Sequence, residues 1–341
     1  MGSVALFVPH VGCPQQCSFC DQRAITGGAQ PPTPWQVWQT AQAAASHLGQ
    51  RAKDTEIAFF GGSFTAIPRG QMLALLAPAK EAVERFGFRG LRCSTRPDAI
   101  DGEVLSLLKA YHMVAVELGA QSMDGEVLRR NRRGHSPEDT VRAAGLIRAA
   151  GLELGLQMMT GLYGSTPAKD VETARALIAL QPATARVYPT VVLEGTHLAA
   201  LYRQGHYHPQ TLEEAVALCA RLLPLFEEAG VRVIRVGLHA QEDVERRRVA
   251  GPYHPAFREL VESCRFLARL LPELEKQPPG AYAVRVCPRQ LSVATGQKRC
   301  NLEALARRGY AVRFVPDASL APGRFGVGPQ ETRNEKGKQA Q

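Results

Sequence analysis

The chain has 341 residues, 45% of them hydrophobic and 21% charged, with 41 basic side chains against 32 acidic for a formal charge of +9. This composition excludes a disordered or collagen-like chain, and no apolar run reaches the ~20 residues that span a bilayer. Residues 1–9 carry no basic leader and too short an apolar stretch for a secretory signal, so a cytoplasmic protein is expected, with two ordinary domains or one barrel plus an appendage.

In chain order, β-branched or aromatic runs at 4–8, 56–60, 91–95, 114–118, 152–158, 185–188 and 231–236 predict strands, with longer helical patterns between them. Three helix starts are marked by a capping hydroxyl followed by proline: Thr33-Pro34, Ser136-Pro137 with Asp139 in the first turn, and Thr166-Pro167. Repeated βα units predict a parallel sheet, and either a barrel or a doubly wound sheet satisfies the pattern. In both, functional groups gather at the C-terminal strand ends. The chemically loaded segments follow the first four strands: a cluster of three cysteines, then Gly61-Gly62-Ser63-Phe64-Thr65, Arg96-Pro97-Asp98 and Gly119-Ala120-Gln121-Ser122.

The alternation stops near residue 240. Residues 1–240 hold 23 basic and 21 acidic side chains, whereas 241–341 hold 18 and 11, so the last part carries +7. The run Arg246-Arg247-Arg248, a helical pattern over 255–271, the turn-rich Gln277-Pro278-Pro279-Gly280 and a mixed segment to 315 predict a small basic α+β appendage over 241–316. Glycine, proline and charge predict a loose tail over 317–341. A basic appendage permits an anionic partner such as RNA, although a solvated arginine-rich surface has the same composition.

Of eight cysteines, Cys93, Cys219, Cys264, Cys287 and Cys300 are scattered. Cys219 and Cys264 fall on apolar helical stripes, and Cys287 and Cys300 lack the tight ligand pair of a second metal site. The other three form Cys13-x-x-x-Cys17-x-x-Cys20, which puts three thiolates on one short loop. Two metal readings fit: an iron-sulfur cluster with one iron left open to a small molecule, or a closed zinc site completed by His10.

With Phe19 just before the last cysteine and the loop placed after the first strand, the motif resembles that of the radical S-adenosylmethionine (SAM) superfamily. The segments Pro9-His10-Val11-Gly12-Cys13-Pro14, Gly61-Gly62-Ser63-Phe64-Thr65, Ser94-Thr95-Arg96-Pro97-Asp98, Glu117-Leu118-Gly119-Ala120-Gln121-Ser122 and Arg133-Gly134-His135 look like the radical SAM half of the Elongator catalytic subunit and its bacterial relatives, over residues 4 to at least 240. The resemblance implies a partial (β/α)6 TIM-like barrel over 1–240. It implies a [4Fe-4S] cluster on Cys13, Cys17 and Cys20, with SAM on the fourth iron. A low-potential electron donor would then drive SAM cleavage to methionine and a 5′-deoxyadenosyl radical.

Site residues follow from the same resemblance. Gly61, Gly62 and Ser63 correspond to a glycine motif whose main chain meets the SAM amino group, where a missing Cβ lets the backbone approach. Glu117 and Gln121 match polar positions facing the SAM ribose and carboxylate region. Arg133 matches an arginine that pairs with the carboxylate, a role suited to its two-pronged donor geometry. Gln157 and Met158 fall where the adenosine is contacted.

The Elongator subunit also carries an acetyltransferase half; the 101 residues from 241 on are few for one and hold no Arg/Gln-x-x-Gly-x-Gly/Ala loop, so a relative lacking that half is expected. The reading is a radical SAM enzyme acting on RNA, tRNA foremost, docked through the basic appendage. The alternatives are action on a peptide or small metabolite, or a non-catalytic iron-sulfur or zinc module that binds RNA.

Overall fold

The computed structural model of the chain describes residues 2–8, 13, 16–20, 30–238 and 242–330. They fall into two compact units, one comprising residues up to Leu218 with Leu222–Pro255, the other Cys219–Arg221 and the residues from Ala256 onward.

In the first unit each apolar run of the sequence becomes a strand, and each capping hydroxyl starts a helix. β1 (Gly2–Val8) leads to α1 (Pro34–Leu48), β2 (Thr55–Gly61) to α2 (Arg69–Phe86), and β3 (Gly90–Thr95) to α3 (Gly102–Ala110). Next come β4 (Met113–Gln121), α4 (Gly125–Arg130), α5 (Pro137–Ala149), β5 (Glu153–Thr160), α6 (Pro167–Ala179) and β6 (Thr184–Pro189). The unit closes with β7 (Val192–Leu193), α7 (His197–Arg203), α8 (Leu212–Glu228), β8 (Arg232–Val236), α9 (Glu242–Arg247) and β9 (Arg248–Ala250). Thr33, Ser136 and Thr166 each accept a backbone N–H from the first helical turn, from Gln36, Asp139 and Lys169, so the three proline-marked starts are true N-caps.

The main sheet runs β1-β2-β3-β4-β5-β6-β8, and every pair is parallel. Strand order follows chain order without reversal, so right-handed crossovers all return over the same face. This is the winding of a barrel and not of a doubly wound sheet, whose order reverses at a switch point. The sheet stays open at β1 and β8, and β8 extends the six expected βα units by a seventh strand.

The two faces of this sheet differ in chemistry. One is apolar and fully buried, with Ile57, Phe59, Leu91, Cys93, Val116, Leu118, Leu154, Leu156 and Met158 at alternate positions. The other carries Glu56, Arg92, Ser94, Glu117, Glu153, Gln157 and Arg186. Arg92 Nε donates to Glu56 at 2.6 Å, and Arg89 bridges Glu56 and Glu153. Arg186 Nε donates to Glu117 at 2.6 Å and lies 4.8 Å over the Phe60 ring. Gly155 makes room for this pair: a Cβ there would sit 3.3 Å from the Glu117 side chain and 3.0 Å from Thr184 Oγ1.

The second unit is built on α10 (Phe257–Leu274), followed by β10 (Gly280–Val286), α11 (Leu291–Thr295), α12 (Cys300–Ala306), β11 (Tyr310–Pro316) and β12 (Phe325–Pro329). Phe266, Leu270 and Leu274 of α10 recur at helical spacing and pack with Val284, Val286, Leu305 and Tyr310. β10 pairs parallel with β11 and antiparallel with β12. The sheet therefore includes Phe325–Pro329, within the segment expected as a loose tail. Phe325 and Val327 supply a strand's alternation there, while the intervening Gly326 and Gly328 give the segment a turn-like composition. The first unit likewise extends past residue 240: Val244 is buried with Val191 and Leu193, and β9 pairs with β7, so Arg246, Arg247 and Arg248 belong to it. Among the described residues no helix is long and apolar enough to cross a membrane.

One buried acid links this fold to pH. Asp170 of α6 accepts the Ser165 hydroxyl at 2.6 Å and the Gly161 amide at 2.9 Å, and burial pushes its pKa up to about 6. A raised carboxyl pKa means stability that is complete below the unfolded value near 4 and lost as pH rises through 6, on the order of 3 kcal/mol. Urea unfolding is therefore expected to show the stability of the wild type relative to Asp170→Asn falling by about that amount between pH 4 and pH 7. Parallel pH profiles for the two proteins would disprove the assignment.

Candidate active site

The described part of the cysteine loop is held by Ser18 and Phe19. Fully buried Ser18 donates its hydroxyl to Asn131 Oδ1 at 2.7 Å and its amide to the Asn131 carbonyl at 3.1 Å, while its own carbonyl accepts the Leu198 amide at 2.7 Å. Asn131 is fixed in turn by donating to the Val127 and Tyr163 carbonyls. Phe19 packs against Val127, Met159 and Leu162 on one side and against Val192, Leu198 and Tyr207 on the other. The amide of Cys20 closes a turn on the Cys17 carbonyl at 3.1 Å, with Cys17 buried and Cys13 and Cys20 partly exposed. His10, the fourth ligand of the zinc reading, lies outside the described residues. Among the described residues no three His, Cys, Asp or Glu side chains are gathered to hold a metal ion, so the three thiols are not drawn together into a finished ligand set. Cys93 is no substitute ligand. It sits on the apolar face, and burial pushes its thiol up to about 12, which keeps it protonated.

Two arginines face the loop. Arg133 donates to Cys17 Sγ at 3.2 Å and to the Gly119 carbonyl at 2.6 Å, and its buried Nε has no partner. Gly119 permits that approach, since a Cβ there would lie 2.9 Å from Gln121 Nε2 and 3.4 Å from Arg133 Nη2. Arg96 is clamped by Asp98 through bonds of 2.9 and 2.7 Å, lies in the field of Cys13 and Cys17, and keeps a buried Nη1 without a partner. A buried donor left unpaired costs about 1–3 kcal/mol unless a ligand satisfies it. Thiol ligands beside two such guanidinium donors are the chemistry that an anionic, cysteine-bound cluster and a carboxylate ligand require, so the residues fit that cofactor pair. His135, bonded to the Ala120 carbonyl at 3.2 Å, is held neutral by burial and by the Arg133 charge, with its pKa lowered to about 4.

The other sequence-derived positions divide into two sets. Gly61, Gly62 and Ser63 do end β2 at this rim. The Gly62 amide bonds the Val8 carbonyl at 2.7 Å, while the Ser63 hydroxyl is engaged with Thr95 Oγ1 at 2.9 Å and the Arg96 amide at 3.2 Å, tying the β2 loop to the β3 loop. Gln121 and Gln157 come together, with Gln157 Nε2 donating to Gln121 Oε1 at 3.0 Å, where a bulge in β4 gives Gln121 a φ of 65°. Glu117 lies deeper, with both oxygens taken by Ser94 and Arg186. Met158 is fully buried on the apolar face. Met159, one residue on, packs with Phe19 and Tyr188 and is the methionine that shares the face of Gln157. Asn131, Arg96 and Arg186 carry site structure that the motif reading did not assign. For Arg186 a signal existed, since an arginine in the middle of a buried parallel strand demands a partner.

Residues 7–177 match the radical SAM superfamily and residues 182–265 its C-terminal domain. A tRNA uridine(34) acetyltransferase of Dehalococcoides mccartyi (strain CBDB1) is 28% identical over 269 residues, covering 68% of this chain and 58% of that protein. Elongator complex protein 3 of Homo sapiens is 27% identical over 235 residues, covering 63% of this chain and 42% of its own length. The chain thus spans well under two thirds of these relatives. The structure of the archaeal Methanocaldococcus infernus Elp3 with an N-terminal deletion superimposes with a TM-score of 0.61 at 22% identity, over 81% of this chain and 62% of that one, which speaks to the fold. With the family pattern spanning half of its length and the cysteine loop, strand ends and barrel winding in place, the chain belongs to the radical SAM superfamily and is an enzyme of that class.

Proposed function

We propose that the protein reductively cleaves SAM at a [4Fe-4S] cluster held by Cys13, Cys17 and Cys20, and that its substrate is RNA, specifically tRNA. The observation that carries the reading is the pairing of that cysteine loop with two buried, unsatisfied guanidinium donors, Arg96 Nη1 and Arg133 Nε. Held by Cys13, Cys17 and Cys20, the cluster would supply the one-electron reducing power, drawn from a low-potential donor, that reductive cleavage of SAM to methionine and a 5′-deoxyadenosyl radical requires.

The chain's own residues bind, orient and shield. Arg133 offers its Nε to the SAM carboxylate while its two terminal nitrogens stay fixed by Cys17 and Gly119. The Gly61-Gly62 backbone offers carbonyls to the amino group, and Ser63 holds that loop in place. Gln121 and Gln157 supply donors and acceptors for the ribose hydroxyls. Glu117, neutralised by Arg186, serves as the acceptor that positions Ser94 and the inner wall, and Met159, on the face of Gln157, takes the apolar adenosine contact in place of the buried Met158. The tRNA reading is supported by the relatives named for tRNA uridine(34) and by the second unit, where residues 256–330 hold twelve basic and six acidic side chains. A low-potential donor completes the system.

Anaerobic reconstitution with iron, sulfide, a reductant and SAM is expected to yield 5′-deoxyadenosine and methionine, and Cys13→Ala, Cys17→Ala or Cys20→Ala to lose iron and at least about 100-fold of the activity. A full cluster with no cleavage of SAM would instead leave a non-catalytic module. Deuterated tRNA is expected to pass label into 5′-deoxyadenosine, and transfer only from a peptide or small metabolite would refute the RNA assignment. Asn131→Ala removes the anchor of the cysteine loop and leaves the Ser18 hydroxyl unpaired; a loss of about 2–3 kcal/mol in unfolding free energy is expected together with reduced iron content. Full iron loading in that variant would show that the loop needs no such anchor.

A further inference from the structure

A groove wholly within the second unit plays no part in the strand-end site. It runs between the C-terminal half of α10 and strand β12 and encloses about 900 Å³, a volume typical of ligand sites. Tyr282, Phe325 and Val327 line it as partly buried side chains resting on the α10–β10 core, and exposed Arg269, Lys276 and Arg324 line it as cations against one carboxylate, Glu273. Arg269 is aimed by its bond to the Gly323 carbonyl at 3.0 Å. Lys276 meets Glu273 at 2.8 Å in an exposed pair that water and salt weaken, and Arg324 has no acidic partner among the described residues. The triplet at 246–248 is engaged differently, since Arg246 bonds Asp243 at 2.6 Å and Arg247 donates to the Glu194 carbonyl at 2.9 Å.

We propose that this groove binds single-stranded RNA, seating one unstacked nucleotide with its base against Tyr282 and Phe325 and its phosphates against Arg269, Lys276 and Arg324. The inference rests on the tRNA reading and deepens it by naming where the substrate docks outside the barrel. Aromatic side chains accept any base by stacking, and guanidinium and ammonium groups neutralise the backbone, the combination that single-strand binders use. A peptide of Asp and Glu alone matches the charge but brings no flat ring for the apolar lining, whereas every nucleotide carries both ring and phosphate.

The test measures tRNA binding to the full-length, anaerobically reconstituted protein by fluorescence anisotropy across a salt series. Lys276→Glu with Arg324→Glu is expected to weaken binding at least tenfold and to lower the slope of log affinity against log salt by about 1.5, since each lost phosphate contact removes ~0.7–0.9. Arg307→Glu with Arg313→Glu, the same charge change at exposed positions outside the groove, is expected to stay within threefold of wild type. Photo-crosslinking of the same complex is expected to mark Tyr282 or Phe325. Equal losses for the two double variants, or equal affinity for poly-glutamate, would overturn the groove as a nucleotide site. Tight binding that the groove variant leaves intact would overturn it while sparing the tRNA reading, whereas a wild type that binds no tRNA would remove both.

Discussion

The structure depends on ion pairs buried on one face of an open parallel sheet. Moving an isolated charge out of water costs several kcal/mol, and only a partner of good geometry offsets it. Glu56 and Arg92, almost fully buried and joined at 2.6 Å, meet that condition with Arg89 and Glu153 around them. Glu117 and Arg186 meet it one layer along, with Ser94 and the Phe60 ring completing the surroundings. These pairs settle which face is inner. A parallel strand between two helix layers reads as a continuous apolar run, whereas these strands alternate, because only one face is covered by apolar packing.

Along β3 and β5 the polar face changes from ion pairs to uncharged or singly engaged groups near the rim. On β3, Arg92 is paired with Glu56, Ser94 is bonded to Glu117, and Arg96 just beyond the strand keeps an unpaired nitrogen despite its clamp on Asp98. On β5, Glu153 is bridged by Arg89, Gly155 gives space, and Gln157 turns to Gln121. Ion pairs thus fill the N-terminal end of the strands, where Arg92 Nη1 and Glu153 Oε2 also lack hydrogen-bond partners, and Arg96 and Arg133 bring further unpaired donors to the C-terminal end. The cysteine loop enters at that end, with Arg133 reaching from after β4 to Cys17. Barrels place reactivity at this rim because their loops vary there while the strands below stay rigid. Here the rigidity has named sources in the buried pairs and in the Ser18–Asn131 anchor.

The second unit reaches stability by different means. One strongly amphipathic helix, α10, lays Phe266, Leu270 and Leu274 on a three-stranded sheet, and its other side carries the charge. That division leaves cations beside the partly buried Tyr282 and Phe325, in a unit whose basic residues outnumber acidic ones two to one. The charge arithmetic of the whole chain thus has a local origin. The three consecutive arginines that draw the eye in the sequence are partly consumed by neighbours of the first unit.

What the sequence determined by itself is local. Alternation, capping hydroxyls before proline and the cysteine spacing act within a few residues of chain, so the strands of the main sheet, three helix starts and the family's three-cysteine motif were legible in it. Distant pairing was not. Ser18 meets Asn131 across 113 positions and Glu117 meets Arg186 across 69, and no spacing rule links such residues before the sheet is assembled. The same holds for barrel against doubly wound sheet, which strand order alone decides. It holds for Met158 against Met159, separated by the face on which each lands, and for β12, whose glycines hide a strand until β10 offers its edge. Local chemistry selects the elements; burial of a charge or an unpaired donor is defined only once distant segments meet, so tertiary structure alone determined which polar groups are spent on the fold and which remain for a ligand.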